Sequence, residues 1–145
     1  MKVSTKGRYG LRVLLDMAMN QTAGPAALKD ISRRQGISEK YLWQVIHPLK
    51  AAGLVNSLRG TRGGYVLSKA PAEITVLDVV SILEGPISVV DCLSEAEACE
   101  RSGDCVTRDV WREVERAIKD TLQRITLQDL VRRKRESGPV LSYVI

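Results

Sequence analysis

The only three cysteines, Cys92, Cys99 and Cys105, share one short stretch with the spacing C-x(6)-C-x(5)-C. Structural zinc sites are usually built from C-x(2–4)-C pairs, and none occurs here. A reactive redox thiol favours an electropositive setting that lowers its pKa. This stretch instead carries Asp91, Glu95, Glu97, Glu100 and Asp104, which oppose thiolate formation. A metal centre brings its own positive charge and holds thiolates in such surroundings. The residues alone therefore leave a metal or cluster centre, reactive thiols and inert cysteines open.

A second constellation is Lys40, Trp43, Gln44 and His47, spaced i, i+3, i+4 and i+7 and so sharing one face if the segment is helical. These are side chains that read base edges. Gln bonds adenine at N6 and N7, and Lys suits guanine or phosphate. Trp43 suits a thymine methyl or a sugar edge. Downstream, Arg59-Gly-Thr-Arg-Gly-Gly64 offers the guanidinium groups of Arg59 and Arg62 on a flexible tip. Such groups suit the minor groove, where negative potential is focused.

These residues need elements to position them. Ser4 or Thr5 caps a first helix to Met19, with Leu11, Leu14, Leu15 and Ala18 at helical spacing. Asn20 to Pro25 is a turn. A second helix runs from Leu28 to Gln35 and ends at Gly36. Ser38 caps a third, from Glu39 to about Ala52, with Tyr41, Leu42, Val45, Leu49 and Ala52 as its buried stripe. Pro48 should weaken or kink it near residue 44, because it removes one backbone donor. Leu54–Leu58 and Gly64–Leu67 read as strands flanking the Arg-bearing tip. Thr75-Val-Leu-Asp78 resembles a capping box opening a helix to Glu84, which Gly85-Pro86 breaks. After the cysteine loop, Thr107 caps a long helix to about Ile125. Val110, Trp111, Val114, Ala117, Ile118, Leu122 and Ile125 lie along one side of it. Thr126 restarts a short helix that leads to Arg132-Arg-Lys-Arg135 and an apolar tail.

Two short helices followed by a basic hairpin make a mainly α winged helix-turn-helix with a long C-terminal dimerisation helix. The division read from the sequence is 1–70 for the DNA-binding domain and 71–90 for a linker with a short helix. Residues 91–106 are a sensor loop, 107–136 the dimerisation helix and short helix, and 137–145 the tail. A lone helix with one broad apolar side must bury that side, and a two-fold dimer is the commonest solution. Two recognition helices about 34 Å apart would read half-sites of a palindromic duplex.

Charge supports this division. Residues 1–70 carry 12 Lys and Arg against 3 Asp and Glu, whereas residues 71–145 carry 10 against 14. A basic half joined to an acidic one points to one polyanion-binding part and one part with another task. The 44% apolar content is that of a globular chain. The chain lacks a membrane-length apolar run and a signal-peptide core, so it is expected in the cytoplasm. There is one histidine, no nucleophile–base pair and no phosphate loop, which argues against an enzyme.

Five segments carry a resemblance: Ser4-Thr-Lys-Gly-Arg-Tyr9, Gly36-Ile-Ser-x-x-Tyr-Leu42, Ala52-Gly-Leu-Val55, Arg59-Gly-x-x-Gly-Gly-Tyr65 and Ile125-Thr-Leu-x-Asp-Leu130. Together they resemble the Rrf-two family of bacterial winged-helix transcriptional regulators. The resemblance implies a homodimer in which each long helix packs beside the partner's DNA-binding module. It implies that Ser4, Thr5, Lys6, Ser38 and Tyr41 hold phosphates, which fixes register without reading sequence. The cysteine spacing is similar to that of the family's cluster-binding members, which implies a [2Fe–2S] cluster on Cys92, Cys99 and Cys105. Such a centre would sit where the dipole of the long helix favours negative charge.

The family's fourth ligand is not matched. The cluster-biogenesis branch has a histidine where this chain has Arg108, and the nitric-oxide branch uses an acid near helix one, where this chain offers Arg8. Asp109, Asp104, Glu100 or a small thiol are the alternatives. A glutamate of the cluster-biogenesis branch is replaced by Trp43, so the operator does not transfer.

The resemblance also bears on the tail, Leu141-Ser-Tyr-Val-Ile145, which is similar to the isoleucine-ended tail of the family's cysteine-metabolism branch. Tyr143, Val144 and Ile145 would then bind O-acetylserine sulfhydrylase, a cysteine-synthesis enzyme. The reading is thus a homodimeric regulator, a repressor, with operator affinity set by the cluster. The alternatives are a cysteine-metabolism regulator acting through that enzyme, or a cluster or metal carrier without sequence-specific DNA binding.

Overall fold

The computed structural model describes residues 2–138. Helix α1 spans Thr5–Asn20, α2 Leu28–Gln35 and α3 Glu39–Ala51. Ser4 Oγ accepts from the Gly7 N–H at 3.2 Å, and Ser38 Oγ from the Tyr41 N–H at 3.2 Å. Each hydroxyl satisfies a donor that the helix start leaves open. Helix α2 stops at Gly36, whose φ of 65° is the left-handed conformation that lets the chain turn sharply into α3.

Helix α3 runs past Pro48 to Ala51 without interruption. Proline removes only the bond to the Gln44 carbonyl. Leu42, Val45, Ile46 and Leu49, all buried, hold the helix against the core on either side of it. The buried stripe differs from the one read from the sequence. Ile46 belongs to it, Ala52 is exposed and Tyr41 is half-buried.

Strands β1 (Val55–Leu58) and β2 (Gly64–Leu67) pair antiparallel, with Val55 opposite Leu67 and Leu58 opposite Gly64. The hairpin is anchored by a bridge the sequence did not reveal. The Ala26 N–H donates to the Tyr65 carbonyl at 2.8 Å, and the Tyr65 N–H to the Ala26 carbonyl at 2.9 Å. Gly64 permits this approach, since a Cβ there would lie 2.7 Å from the Ala26 carbonyl oxygen.

Helix α4 (Val76–Glu84) opens on the expected capping box. The Thr75 N–H donates to Asp78 Oδ2 at 2.9 Å, and the Asp78 N–H to Thr75 Oγ1 at 3.1 Å. Thr126 and Asp129 repeat the arrangement at the start of α7 (Leu127–Glu136), at 2.9 and 3.1 Å. The two starts lie side by side: the Val76 N–H donates to the Ile125 carbonyl at 2.8 Å, and the Leu127 N–H to the Ile74 carbonyl at 2.9 Å. This seats α7 on the winged-helix body. One core therefore unites Leu14, Ile31, Leu42, Leu49, Val55, Ile74, Val79 and Leu127.

Between α4 and the long helix the chain forms a short helix, α5 (Asp91–Ser94), and single turns at Ala96–Ala98 and Ser102–Asp104. Helix α6 then spans Val106–Arg124, 19 residues, or about 28 Å. Its cap differs from the expected Thr107. Cys105 stands at the cap position without a side-chain cap bond. Near the C-terminal end, Ile118 and Leu122, with Ile125 just beyond, pack on Val76, Val80 and Ile87. No residue of α6 is fully buried, and Val106, Val110, Trp111 and Val114 are exposed. No helix among the described residues is long and apolar enough to cross a membrane. Tyr143, Val144 and Ile145 lie outside the described residues.

Candidate nucleic-acid interface and cysteine loop

Helix α3 turns Lys40, Trp43, Gln44 and His47 outward together, because Leu42, Val45, Ile46 and Leu49 commit the other side to the core. Trp43 is 54% exposed. Its ring stacks on His47, with centroids 4.8 Å apart and planes 21° from parallel. The indole is therefore held flat beside Gln44. Arg59 and Arg62 stand exposed on the hairpin tip, without an ion-pair partner among the described residues. This leaves both guanidiniums free for an external anion.

The phosphate-holding candidates are spread over the starts of α1 and α3. Ser38 caps α3, and Tyr41 meets Tyr9 edge-on at 5.5 Å between centroids. Thr5 Oγ1 accepts from Arg8 at 3.1 Å. Lys6 is half-buried. Ser4 is engaged within the molecule: its N–H donates to Glu84 Oε1 at 3.1 Å, and its hydroxyl meets the same oxygen. Sequence reading passed over Glu84, whose partner lies 80 positions away.

It also passed over the network that fixes α1 to α2. Arg34 donates from Nε to Asp16 Oδ1 at 2.9 Å and from its terminal nitrogen to Oδ2 at 2.7 Å. Gln35 adds a bond of 3.0 Å to Oδ1. Asp16 is 5% exposed, so it is a buried charge whose oxygens are fully used. The bond to Asp16 raises the Arg34 pKa further above its ordinary value. Arg12 extends the network, donating to the Gln35 carbonyl at 2.7 Å while lying over the Tyr9 ring at 5.2 Å. The chain Asp16–Gln35–Arg12–Tyr9–Tyr41 thus reaches the first turn of α3.

The cysteine loop presents three free thiols, Cys99 exposed and Cys92 and Cys105 half-buried. The Thr107 hydroxyl lies 3.1 Å from Cys105 Sγ. That contact, then the backbone N–H of Arg108, and after them the Thr107 N–H and the charge of Arg101, lower the Cys105 pKa against the opposing effect of desolvation. Arg108 clasps the loop. Its guanidinium donates to the Cys92 carbonyl at 2.7 and 3.2 Å and to the Ser102 carbonyl at 3.1 Å. A cation that bonds two carbonyls is not a ligand.

Among the described residues, no three His, Cys, Asp or Glu side chains are gathered closely enough to hold a metal ion. The three thiols share a loop but, as arranged, do not form a cluster's ligand set. Glu100 and Asp104 line one cavity with Cys105.

Known proteins share this sequence and fold. The sequence profile of the Rrf2 (Rrf-two) family, described as "Iron-dependent Transcriptional regulator", matches residues 3–133. The "HTH-type transcriptional regulator CymR" of Bacillus subtilis is 44% identical over 130 residues, 90% of this chain and 89% of that protein. A solved structure of CymR, called the global cysteine regulator of B. subtilis, superposes with a TM-score of 0.78 at 42% identity. It covers 92% of this chain and 98% of its own. IscR of T. potens superposes with a TM-score of 0.79 at 39% identity, covering 99% of this chain and 95% of its own.

Proposed function

The chain belongs to the Rrf2 family of winged-helix transcriptional regulators, and from that premise we propose that it is a cytoplasmic, homodimeric repressor reading a palindromic operator. The single observation that carries this is the outward face of α3: Lys40, Trp43, Gln44 and His47 exposed together, beside a wing tip with two unpaired arginines. Gln44 and Lys40 read base edges in the major groove, and the Trp43–His47 stack presents an apolar edge to a thymine methyl or sugar. Arg59 and Arg62 enter the minor groove. Ser4, Thr5, Lys6, Ser38 and Tyr41 hold phosphates and set register. The bare apolar side of α6 packs on a second copy. Operator selection from a random duplex pool, followed by binding across a salt series, tests this. Sequence-preferring, steeply salt-dependent binding is expected. Its absence favours a carrier whose basic half binds something else.

The 91–106 loop is the sensing element, and the effector is a [2Fe–2S] cluster on Cys92, Cys99 and Cys105. Support comes from three free thiols on one loop, their spacing, and a family profile described as iron-dependent. Cys92, Cys99 and Cys105 would hold the cluster, and because Arg108 ties the Cys92 and Ser102 carbonyls together, loop order and operator affinity would be linked. Anaerobic purification with iron tests this: wild-type protein is expected to be coloured and Cys99→Ala colourless. A colourless wild type removes the cluster.

A second reading is favoured by the 44% identity to CymR: a regulator of cysteine metabolism whose tail, Tyr143, Val144 and Ile145, binds a cysteine-synthesis enzyme. Deleting Val144 and Ile145 is expected to abolish a complex with O-acetylserine sulfhydrylase and leave cluster content unchanged.

A further inference from the structure

A carboxylate sits at the start of α1, beside the residues proposed to hold a phosphate. Glu84, the last residue of α4, points its Oε1 at the N–H groups of Ser4 and Gly7, each at 3.1 Å, and at the Ser4 hydroxyl. Two glycines make the approach possible. A Cβ at Gly7 would lie 2.3 Å from Glu84 Oε1, and one at Gly10 would lie 2.0 Å from Leu83 Cδ1. The end of α4 is therefore seated in a glycine-lined channel of α1. Glu84 remains exposed, so its charge is felt by anything that approaches this turn.

The helix dipole favours an anion here, and the chain has supplied its own. The next amides, of Thr5 and Lys6, are ones that a helix start leaves open. A DNA phosphate arriving at them meets a fixed negative charge alongside.

We infer that Glu84 is a positioning residue for operator binding. It fixes the first turn of α1 while its charge holds down the affinity of that turn for phosphate. The inference rests on the phosphate contacts proposed above for Ser4, Thr5 and Lys6. Glu84 is also tied to the cysteine side of the molecule. Gly85 and Pro86 follow it, Ile87 is buried with Val76 and Val80 against Ile118 and Leu122, and α5 begins at Asp91. Only six residues separate Glu84 from the start of α5.

The test uses the full-length chain and a duplex selected from a random pool by the wild type, titrated over a salt series. Glu84→Gln keeps an oxygen that accepts from Ser4 and Gly7 and removes the charge. It is expected to bind about three- to tenfold more tightly at low salt, with the gap closing as salt rises. Gly7→Ala drives the carboxylate out of its seat and is expected to tighten binding as well. Glu84→Ala loses the anchor, so the Ser4 and Gly7 amides are expected to exchange hydrogen faster. Glu136→Gln makes the same charge change at the exposed end of α7 and is expected to leave binding near the wild-type value. The inference is overturned if Glu84→Gln binds like the wild type at low salt, or if Glu136→Gln tightens binding equally. A wild type that selects no duplex overturns the DNA-binding reading itself, before any variant is compared.

Discussion

In the winged-helix body, Leu14, Ile31, Leu42, Leu49 and Val79 are fully buried in one cluster, whereas α6, the longest helix, buries no residue fully. The two regions have similar amphipathic patterns and opposite outcomes. In the body, apolar faces from α1, α2, α3, α4 and α7 converge, so each helix finds its cover within the chain. Helix α6 meets the body near its C-terminal end, and Val106, Val110, Trp111 and Val114, which precede that zone, are exposed. Electrostatics divides along the same line. The body is strongly basic and turns unpaired arginines outward, while the cysteine loop is acidic. One region is a finished fold with an exposed basic face; the other is a helix with an uncovered apolar side, preceded by an acidic cysteine loop.

The contrast is broken most directly by Trp111→Glu, which sets a charge in the bare face of α6. Dimers are expected to dissociate in sedimentation experiments, with operator affinity falling about a hundredfold or more as the second half-site is lost. Helical content from the body should persist. Asp16→Ala attacks the other region by leaving Arg34 unpaired beside the core. A loss of about 2–3 kcal/mol in urea unfolding is expected. Gln44→Ala touches neither core nor dimer. It is expected to relax discrimination at one base-pair position by about 1–3 kcal/mol, read by binding to single-position operator variants.

Smaller effects sharpen the boundary between the regions. Arg62→Ala is expected to weaken all duplexes alike and to reduce the salt slope by about one. Asp129 tests the junction that seats α7. Its pKa is lowered, first by the Thr126 backbone N–H and then by the Thr126 hydroxyl. Because the folded value lies below the unfolded one, Asp129 contributes stability above an ordinary aspartate pKa of about 3.9. That contribution is lost as pH falls through the lower folded value. Asp129→Asn is expected to flatten this acid limb in a pH series of thermal melts.

Much of the body was legible because its signals are local. Ser38 before α3, Gly36 after α2 and the Thr75–Asp78 box each act within four residues, so sequence spacing alone places them. The outward face of α3 was legible for the same reason, since helical periodicity separates Gln44 from Leu42 and Val45. Pro48 does not end the helix, because buried neighbours on both sides hold the last turn. Thr107 misled as a cap because a two-residue shift gave that place to Cys105 and sent the hydroxyl to the thiol.

The contacts that no local signal marks, Glu84 with Ser4, Asp16 with Arg34, and Ala26 with Tyr65, reach across 18 to 80 positions. Nothing in the local pattern marks an exposed glutamate as the partner of Ser4. The cysteine loop shows the limit from the other side. Spacing places three thiols on one segment, yet whether they converge depends on the path of the loop, and here Arg108 sets that path.

By itself, the sequence determined the main helices and the hairpin, most of their ends, and which side of α3 faces out, because capping bonds and helical periodicity act over a few residues. Tertiary structure alone decided that α4 and α7 complete the winged-helix core, that α6 lacks cover, and that Glu84 closes on α1. Those outcomes depend on which surfaces meet after the chain has turned back on itself, and no short-range pattern encodes that meeting.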